Sequence, residues 1–141
     1  RVRFLVSFTQ SAYDLEQLKA INPAIDAIPK IENVIGEATL AGIMPLCTSV
    51  MLGRGDLSMA AHTNQQFRFQ KQLIDSCQTH QRQLIVATGI LAGIGDKGQP
   101  TIADVMDYGY LRSMGIDAFL ITGTNALHKP FQTLQFMQAF G

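Results

Sequence analysis

Two short stretches carry side chains whose types and spacing could do chemistry. One is Lys30-Ile31-Glu32-Asn33; the other runs from Val50 through Met51, Leu52, Gly53, Arg54 and Gly55 to Asp56 and Leu57. Lys30 and Glu32 lie two positions apart, so along an extended strand both side chains leave on the same face. The apolar run Val50–Leu52, ending in glycines and a carboxylate, reads as a buried strand that delivers polar groups at its C-terminal end. Two carboxylates, Glu32 and Asp56, make poor tetrahedral-zinc material without histidine or cysteine. They suit an octahedral Mg²⁺ or Mn²⁺ that takes its other ligands from substrate and water. A lysine beside such a metal fits the holding of a phosphoryl group or an enolate oxygen. Gly53 and Gly55 let a ligand approach the backbone, where N–H groups beside Asp56 could cradle a carboxylate.

These residues need elements to present them, and the chain supplies five strand-helix units in succession. The first is a strand at 2–8, followed by the capping box Ser11-x-x-Asp14 and a helix with Leu15, Leu18 and Ile21 on one face, stopped at Asn22-Pro23. The second is a strand over 24–31, with Asn33 as N-cap of a helix near 34–46. The third is a strand at 49–54 and a helix near 63–80 that turns Phe67, Gln70, Leu73, Ile74 and Cys77 inward. The fourth is a strand at 84–87 ending at Thr88. A glycine-rich loop follows, then a helix capped by Thr101 and Asp104 with Ala103, Met106, Tyr110 and Met114 along one face. The fifth is a strand at 118–121 ending at Thr122-Gly123-Thr124, then a helix from Pro130 with Phe131, Leu134 and Met137.

Strands alternating with helices pair in parallel through right-handed crossovers, so the expected class is α/β. Parallel pairing also brings the polar strand ends, Ser7, Lys30 with Glu32, Arg54 with Asp56, Thr88, and Thr122 with Thr124, to one side of the sheet. A doubly wound open sheet is one option, but no G-x-G-x-x-G or Walker loop follows the first strand. The better reading is a partial (β/α)₈ barrel, whose chemistry sits at the C-terminal ends of its strands. The 141 residues are expected to form a single domain that is a portion of a longer chain, because a strand starts at once without lead-in.

Composition narrows the function classes. Eleven basic and eleven acidic residues cancel, with no Lys/Arg cluster, which argues against nucleic acid or an anionic membrane as partner. Hydrophobic residues make up 47%, ample for a core, yet no run reaches the roughly 18 apolar residues of a membrane span. Cys47 and Cys77 lie apart in apolar surroundings without a CxxC, as expected of reduced thiols in a cytoplasmic protein. His62, His80 and His128 fall in loops or helix ends and receive no catalytic role.

Lys30-Ile31-Glu32-Asn33, Arg54-Gly55-Asp56-Leu57, Gln70-Lys71, Ala87-Thr88, Pro100-Thr101 and Thr122-Gly123 together resemble the pyruvate kinase family, in the same order. Ser7-Phe8 with Ser11, Ala12 and Asp14 resembles that family's fourth-strand segment, so the likeness covers nearly the whole chain. The resemblance implies the last five units of a (β/α)₈ barrel that transfers a phosphoryl group between phosphoenolpyruvate and ADP, a glycolytic, ATP-forming step. It implies Glu32 and Asp56 as Mg²⁺ (or Mn²⁺) ligands and Lys30 as the catalytic lysine that stabilises the transferring phosphoryl group and the enolate. Gly55 and Asp56 would give backbone amides to the substrate carboxylate, and Thr88 would bind substrate near the protonation site. Phosphoryl transfer needs charge stabilisation and alignment more than covalent catalysis, which suits these residues.

Departures from the family pattern mark a divergent member. Ser58 and Ala60 replace a Gly-x-Glu, Gly89 and Ile90 replace Gln-Met, and Ile102 and Asp104 replace Arg and Glu. Thr122-Gly123-Thr124-Asn125 stands where Ser-Gly-Glu-Thr is usual, removing a glutamate that bears on substrate or nucleotide positioning. The family's first three strands, with a phosphate-binding arginine and K⁺ ligands, its lid domain and its C-terminal regulatory domain are expected to fall outside this chain. Two rivals stand beside the kinase reading. One is a Mg²⁺-dependent 2-oxo acid lyase or aldolase of the related barrels, which needs no ADP. The other is a non-catalytic remnant that binds a metabolite, or associates with a second copy through exposed strand edges.

Overall fold

The computed structural model describes residues 3–140. They divide into two compact units, one reaching to Val86 and the other starting at Ala87. In the first, β1 (Arg3–Val6) leads to α1 (Ala12–Ile21), β2 (Asp26–Ile31), α2 (Glu37–Ile43) and a 3₁₀ turn (Met44–Leu46). Then come β3 (Ser49–Gly53), α3 (Arg54–Ala60), α4 (Thr63–Thr79) and β4 (Gln83–Ala87). β1 pairs in parallel with β2, Val6 opposite Pro29, and β2 pairs in parallel with β3, Lys30 opposite Met51. The spatial order β1-β2-β3-β4 follows the sequence. A doubly wound sheet reverses its strand order at a switch point; these strands do not, as in a barrel wall.

β3 is buried at every position, and Val50 and Leu52 are wholly enclosed with Leu15, Ile31, Leu40, Ile43, Leu73 and Ile74. Each such side chain contributes about 1.5–3 kcal/mol when removed from water. The capping box at Ser11 and Asp14 forms, the Asp14 carboxylate accepting from the Ser11 N–H at 3.0 Å. The expected inner faces need correction. Ile21 is exposed, so α1 buries Leu15 with Leu18 half-covered. On α4 Phe67 faces outward and Phe69 is the buried phenylalanine, while Gln70, Leu73, Ile74 and Cys77 are inward as expected. Asn33 is not the N-cap of the helix that follows it: α2 starts later, with Gly36 as its N-cap. Residue 2 of the expected first strand lies outside the described residues, and Phe8 has already left the strand, with φ 53°.

The second unit holds α5 (Ala92–Lys97), α6 (Ile102–Ser113), β5 (Ala118–Leu120), α7 (Gly123–His128) and α8 (Pro130–Ala139). Thr101 and Asp104 cap α6 reciprocally, Asp104 N–H donating to the Thr101 hydroxyl at 3.1 Å and Thr101 N–H to the Asp104 carboxylate at 2.8 Å. The face of α6 differs from the expected one: Met106 and Ala103 are exposed, and Tyr108 and Leu111 are buried. Tyr108 gathers an aromatic cluster, its ring 5.0 Å from Phe119 and 5.1 Å from Phe140. α5 occupies the stretch expected to be loop, and on α8 Phe131 and Leu134 are exposed while Thr133 is buried.

Among the described residues no helix is long and apolar enough to cross a membrane. Cys47 and Cys77 are free and buried, and burial pushes their thiols up to about 11 and about 12, which leaves them protonated and unreactive at neutral pH.

Candidate active site

β2 ends at Ile31, and the next residue, Glu32, is a carboxylate only 1% exposed. A buried charge needs partners on both oxygens. Lys30 Nζ donates to Glu32 Oε1, and the backbone N–H of Phe8, just past β1, donates to Oε2 at 2.8 Å. The pairing of Lys30 with Glu32 follows from their two-residue spacing, as expected of side chains sharing a strand face. Gly53, at the end of β3, forms the floor beneath them. A Cβ there would stand 2.7 Å from Glu32 Cγ and 3.0 Å from Lys30 Cε, so the close approach requires glycine.

Asp56 arrives differently from the sequence expectation. β3 stops at Gly53, and Arg54-Gly55-Asp56 forms the first turn of α3, an element the sequence reading missed. Asp56 is therefore a helix residue with its side chain 49% exposed, and its carboxylate lies 3.9 Å from Lys30 Nζ. One ammonium thus serves two carboxylates, one just past β2 and the other in the first turn of α3 that follows β3. The amides of Gly55 and Asp56 fall in a first helical turn, where no intrahelical acceptor exists. Ser58, one of the departing residues, donates its hydroxyl to the Gly55 carbonyl at 2.6 Å.

The two carboxylates titrate as a pair. Burial by itself raises Glu32, but hydrogen bonds from Lys30, Asp56 and the Phe8 N–H, with the Lys30 charge, bring it below its usual range. Asp56 is pushed up, first by its hydrogen bond to Glu32, then by desolvation and by the Glu32 charge. On acidification Asp56 takes up a proton before Glu32 does, the order that like charges at close range produce. A divalent cation would relieve the same repulsion. Among the described residues no group of three His, Cys, Asp or Glu side chains could hold a metal. Glu32 and Asp56 offer oxygen donors of the kind hard divalent cations take alongside water or substrate oxygens.

The structure brings Lys30, Glu32 and Asp56 together in the first unit, with Gly55 preceding Asp56 in the first turn of α3. Thr88 belongs to the second. It follows β4 with φ 73°, a left-handed conformation unusual for a β-branched residue, and Gly89 repeats it with φ 73°. The histidines take local structural positions: His62 caps α4, and His80 Nδ1 lies 2.9 Å from the Ser76 carbonyl.

An α/β fold with strands in sequential order, and a lysine-carboxylate site at their C-terminal ends, defines part of a (β/α)₈-type barrel domain. The comparison with known proteins names which one. The family described as pyruvate kinase, barrel domain, matches residues 2–133. A pyruvate kinase of Eimeria tenella is 32% identical over 124 residues, covering 85% of this chain and 23% of its own. One of Debaryomyces hansenii is 31% identical over 136 residues, 93% of this chain and 27% of its own. Pyruvate kinase isozyme G, chloroplastic, of Nicotiana tabacum is 31% identical over 139 residues, 95% of this chain and 25% of its own. The chain belongs to the pyruvate kinase family. It spans about a quarter of the length of these relatives.

Proposed function

We propose that the protein carrying this chain transfers a phosphoryl group from phosphoenolpyruvate to ADP, giving pyruvate and ATP, and that residues 1–141 are the C-terminal portion of its catalytic barrel. The observation that carries the reading is the convergence of Glu32 and Asp56 on the single ammonium of Lys30. In this reading Lys30 holds the transferring phosphoryl group and then the enolate oxygen, its position fixed by the buried Glu32 carboxylate. Charge that develops on those oxygens meets an ammonium already oriented, so little reorganisation is needed. The Gly55 and Asp56 amides receive the substrate carboxylate, and Thr88 binds substrate and stands by the carbon that gains a proton. Glu32 and Asp56 would hold Mg²⁺ or Mn²⁺, which when bound neutralises phosphate charge and polarises the oxygens between donor and acceptor. K⁺ would be held by residues outside this chain. The place of work is the cytoplasm, and the whole protein is a candidate homo-oligomer.

Calorimetric titration of Mg²⁺ into the chain tests this directly: binding is expected, and is expected to be lost in both Glu32→Ala and Asp56→Ala. Affinity unchanged in both variants sinks the metal assignment. In the full-length protein, cleavage of a 2-oxo acid without phosphoryl transfer would replace the kinase reading with a lyase.

A further inference from the structure

Asn125 stands in a stretch that departs from the family pattern, and it is 2% exposed. Its amide group makes three hydrogen bonds to backbone far away in sequence. Nδ2 donates to the carbonyl of Ile90 at 3.1 Å and to that of Leu91 at 2.7 Å, while Oδ1 accepts from the N–H of Gly95 at 3.1 Å. Only this orientation of the amide satisfies all three partners, since two of them are carbonyls and one is an N–H. The segment it grips is the unusual part of the second unit: Thr88, Gly89 and Leu91 all have positive φ, at 73°, 73° and 53°. Non-glycine residues in that region are strained and persist only when their surroundings hold them.

The fit around the grip is tight. A Cβ at Gly95 would fall on Asn125 Oδ1 and Thr124 Oγ1, so the α5 backbone comes as close to α7 as glycine permits. Thr124 adds a second link between the same helices, donating to Asp96 Oδ1 at 3.1 Å. A third anchor holds the segment from α6, where the Asp104 carboxylate accepts from the Gly93 N–H at 3.1 Å. No sequence-local signal announces Asn125, because its partners are 30 or more positions away.

We propose that Asn125 is a positioning residue: its side-chain amide holds the 88–91 turn in the left-handed form that presents Thr88. The role rests on the assignment of Thr88 to substrate. Three-point hydrogen bonding of a buried amide is a fixed geometry, and a displacement of about 1 Å at a substrate contact costs on the order of 100-fold in rate.

The test is nuclear magnetic resonance of the full chain, native and with Asn125→Ala, Asn125→Asp or Gly95→Ala, with first-unit amide signals as the control for folding. In the native chain the Thr88 carbon shifts are expected to carry a left-handed signature, given its φ of 73°. Asn125→Ala is expected to erase it and to speed exchange of the Gly95 amide about tenfold, the equivalent of one hydrogen bond. Asn125→Asp keeps the acceptor for Gly95 but turns a carboxylate toward two carbonyls, so Gly95 stays protected while the Thr88 signature is lost. Gly95→Ala displaces Asn125 without altering it and is expected to erase the Thr88 signature too. Thr88 shifts unchanged in all three variants overturn the proposal. Titration of the full-length protein, which supplies the rest of the barrel, with phosphoenolpyruvate separates it from the functional reading. A native Thr88 signal that ignores phosphoenolpyruvate removes Thr88 from the substrate site, while the variant shifts still decide what Asn125 does. A phosphoenolpyruvate response that persists at native strength in the variants overturns the positioning role.

Discussion

In the first unit the charged side chains stand on an apolar floor: Glu32 and Lys30 lie over Gly53, at the end of a strand buried at every position. In the second unit the residue of interest, Thr88, lies in a turn whose backbone is held by polar side chains, Asn125 from α7 and Asp104 from α6. The first arrangement fixes charged side chains, by the tight floor at Gly53 and by the bonds that Lys30 and the Phe8 N–H make to Glu32, whereas the second fixes backbone, by hydrogen bonds from side chains. Packing tolerates drift in the surrounding loops, since any apolar filling of the right volume serves. A hydrogen-bonded turn depends on individual atoms. Departures from the family pattern fall in both units, Ser58 and Ala60 on α3 beside Asp56 and Gly89, Ile90, Ile102, Asp104, Thr124 and Asn125 in the second, while Lys30, Glu32 and Asp56 match the pattern.

The largest test of this contrast is truncation of the floor. Leu52→Ala is expected to cost about 2–5 kcal/mol in urea unfolding, because Leu52 is wholly enclosed. Phe131→Ala, at a residue 78% exposed in the second unit, is expected to change stability by no more than about 0.5 kcal/mol. An equal loss in both would break the contrast. Next is Gly53→Ala, which forces a methyl against Glu32 and Lys30 and is expected to cost about 1–3 kcal/mol, with weaker Mg²⁺ binding in the same titration.

The hydrogen-bonded turn predicts an acid sensitivity. Burial alone would raise Asp104, but the Thr101 hydroxyl and the amides of Thr101, Gly93 and Ala92 bring it below its ordinary value of 3.8. A lowered carboxylate stabilises the fold at pH above that value, and the contribution fades as pH falls through the lower, folded-state value. Circular dichroism during acid titration is expected to show Asp104→Asn with a flatter acid limb than the native chain; superimposable limbs would dismiss the carboxylate as the holder of the turn. The smallest effect belongs to the exposed pair of Lys71 and Asp75 on α4, 2.7 Å apart, where Lys71→Ala is expected to cost about 0.3–0.5 kcal/mol in the same urea assay.

Much of the first arrangement was readable from sequence because it is built from local periodicity. The apolar run Val50–Leu52 marks its own burial, and the spacing of Lys30 and Glu32 puts both on one face. What hid was the helix at Arg54–Ala60, since two glycines in three residues read as loop, and with it the exposure of Asp56. Helix faces erred where neighbouring large residues compete for one inward position, as Phe67 and Phe69 do on α4 and Met106 and Tyr108 on α6. The second arrangement was nearly illegible. Its Thr101–Asp104 cap has a local signature, but Asn125 meets its partners only once the chain has folded.

Glu32 has a consequence for how this chain can change over time. Its two oxygens are engaged by a lysine and by the amide of Phe8, so the same carboxylate that serves the site also ties the end of β1 to the end of β2. A lineage released from selection for turnover would still be penalised for losing it, because a severed knot between strands is a folding defect. Persistence of Glu32 in a drifting sequence therefore records a demand of the architecture, and is no certificate that the reaction is still being run.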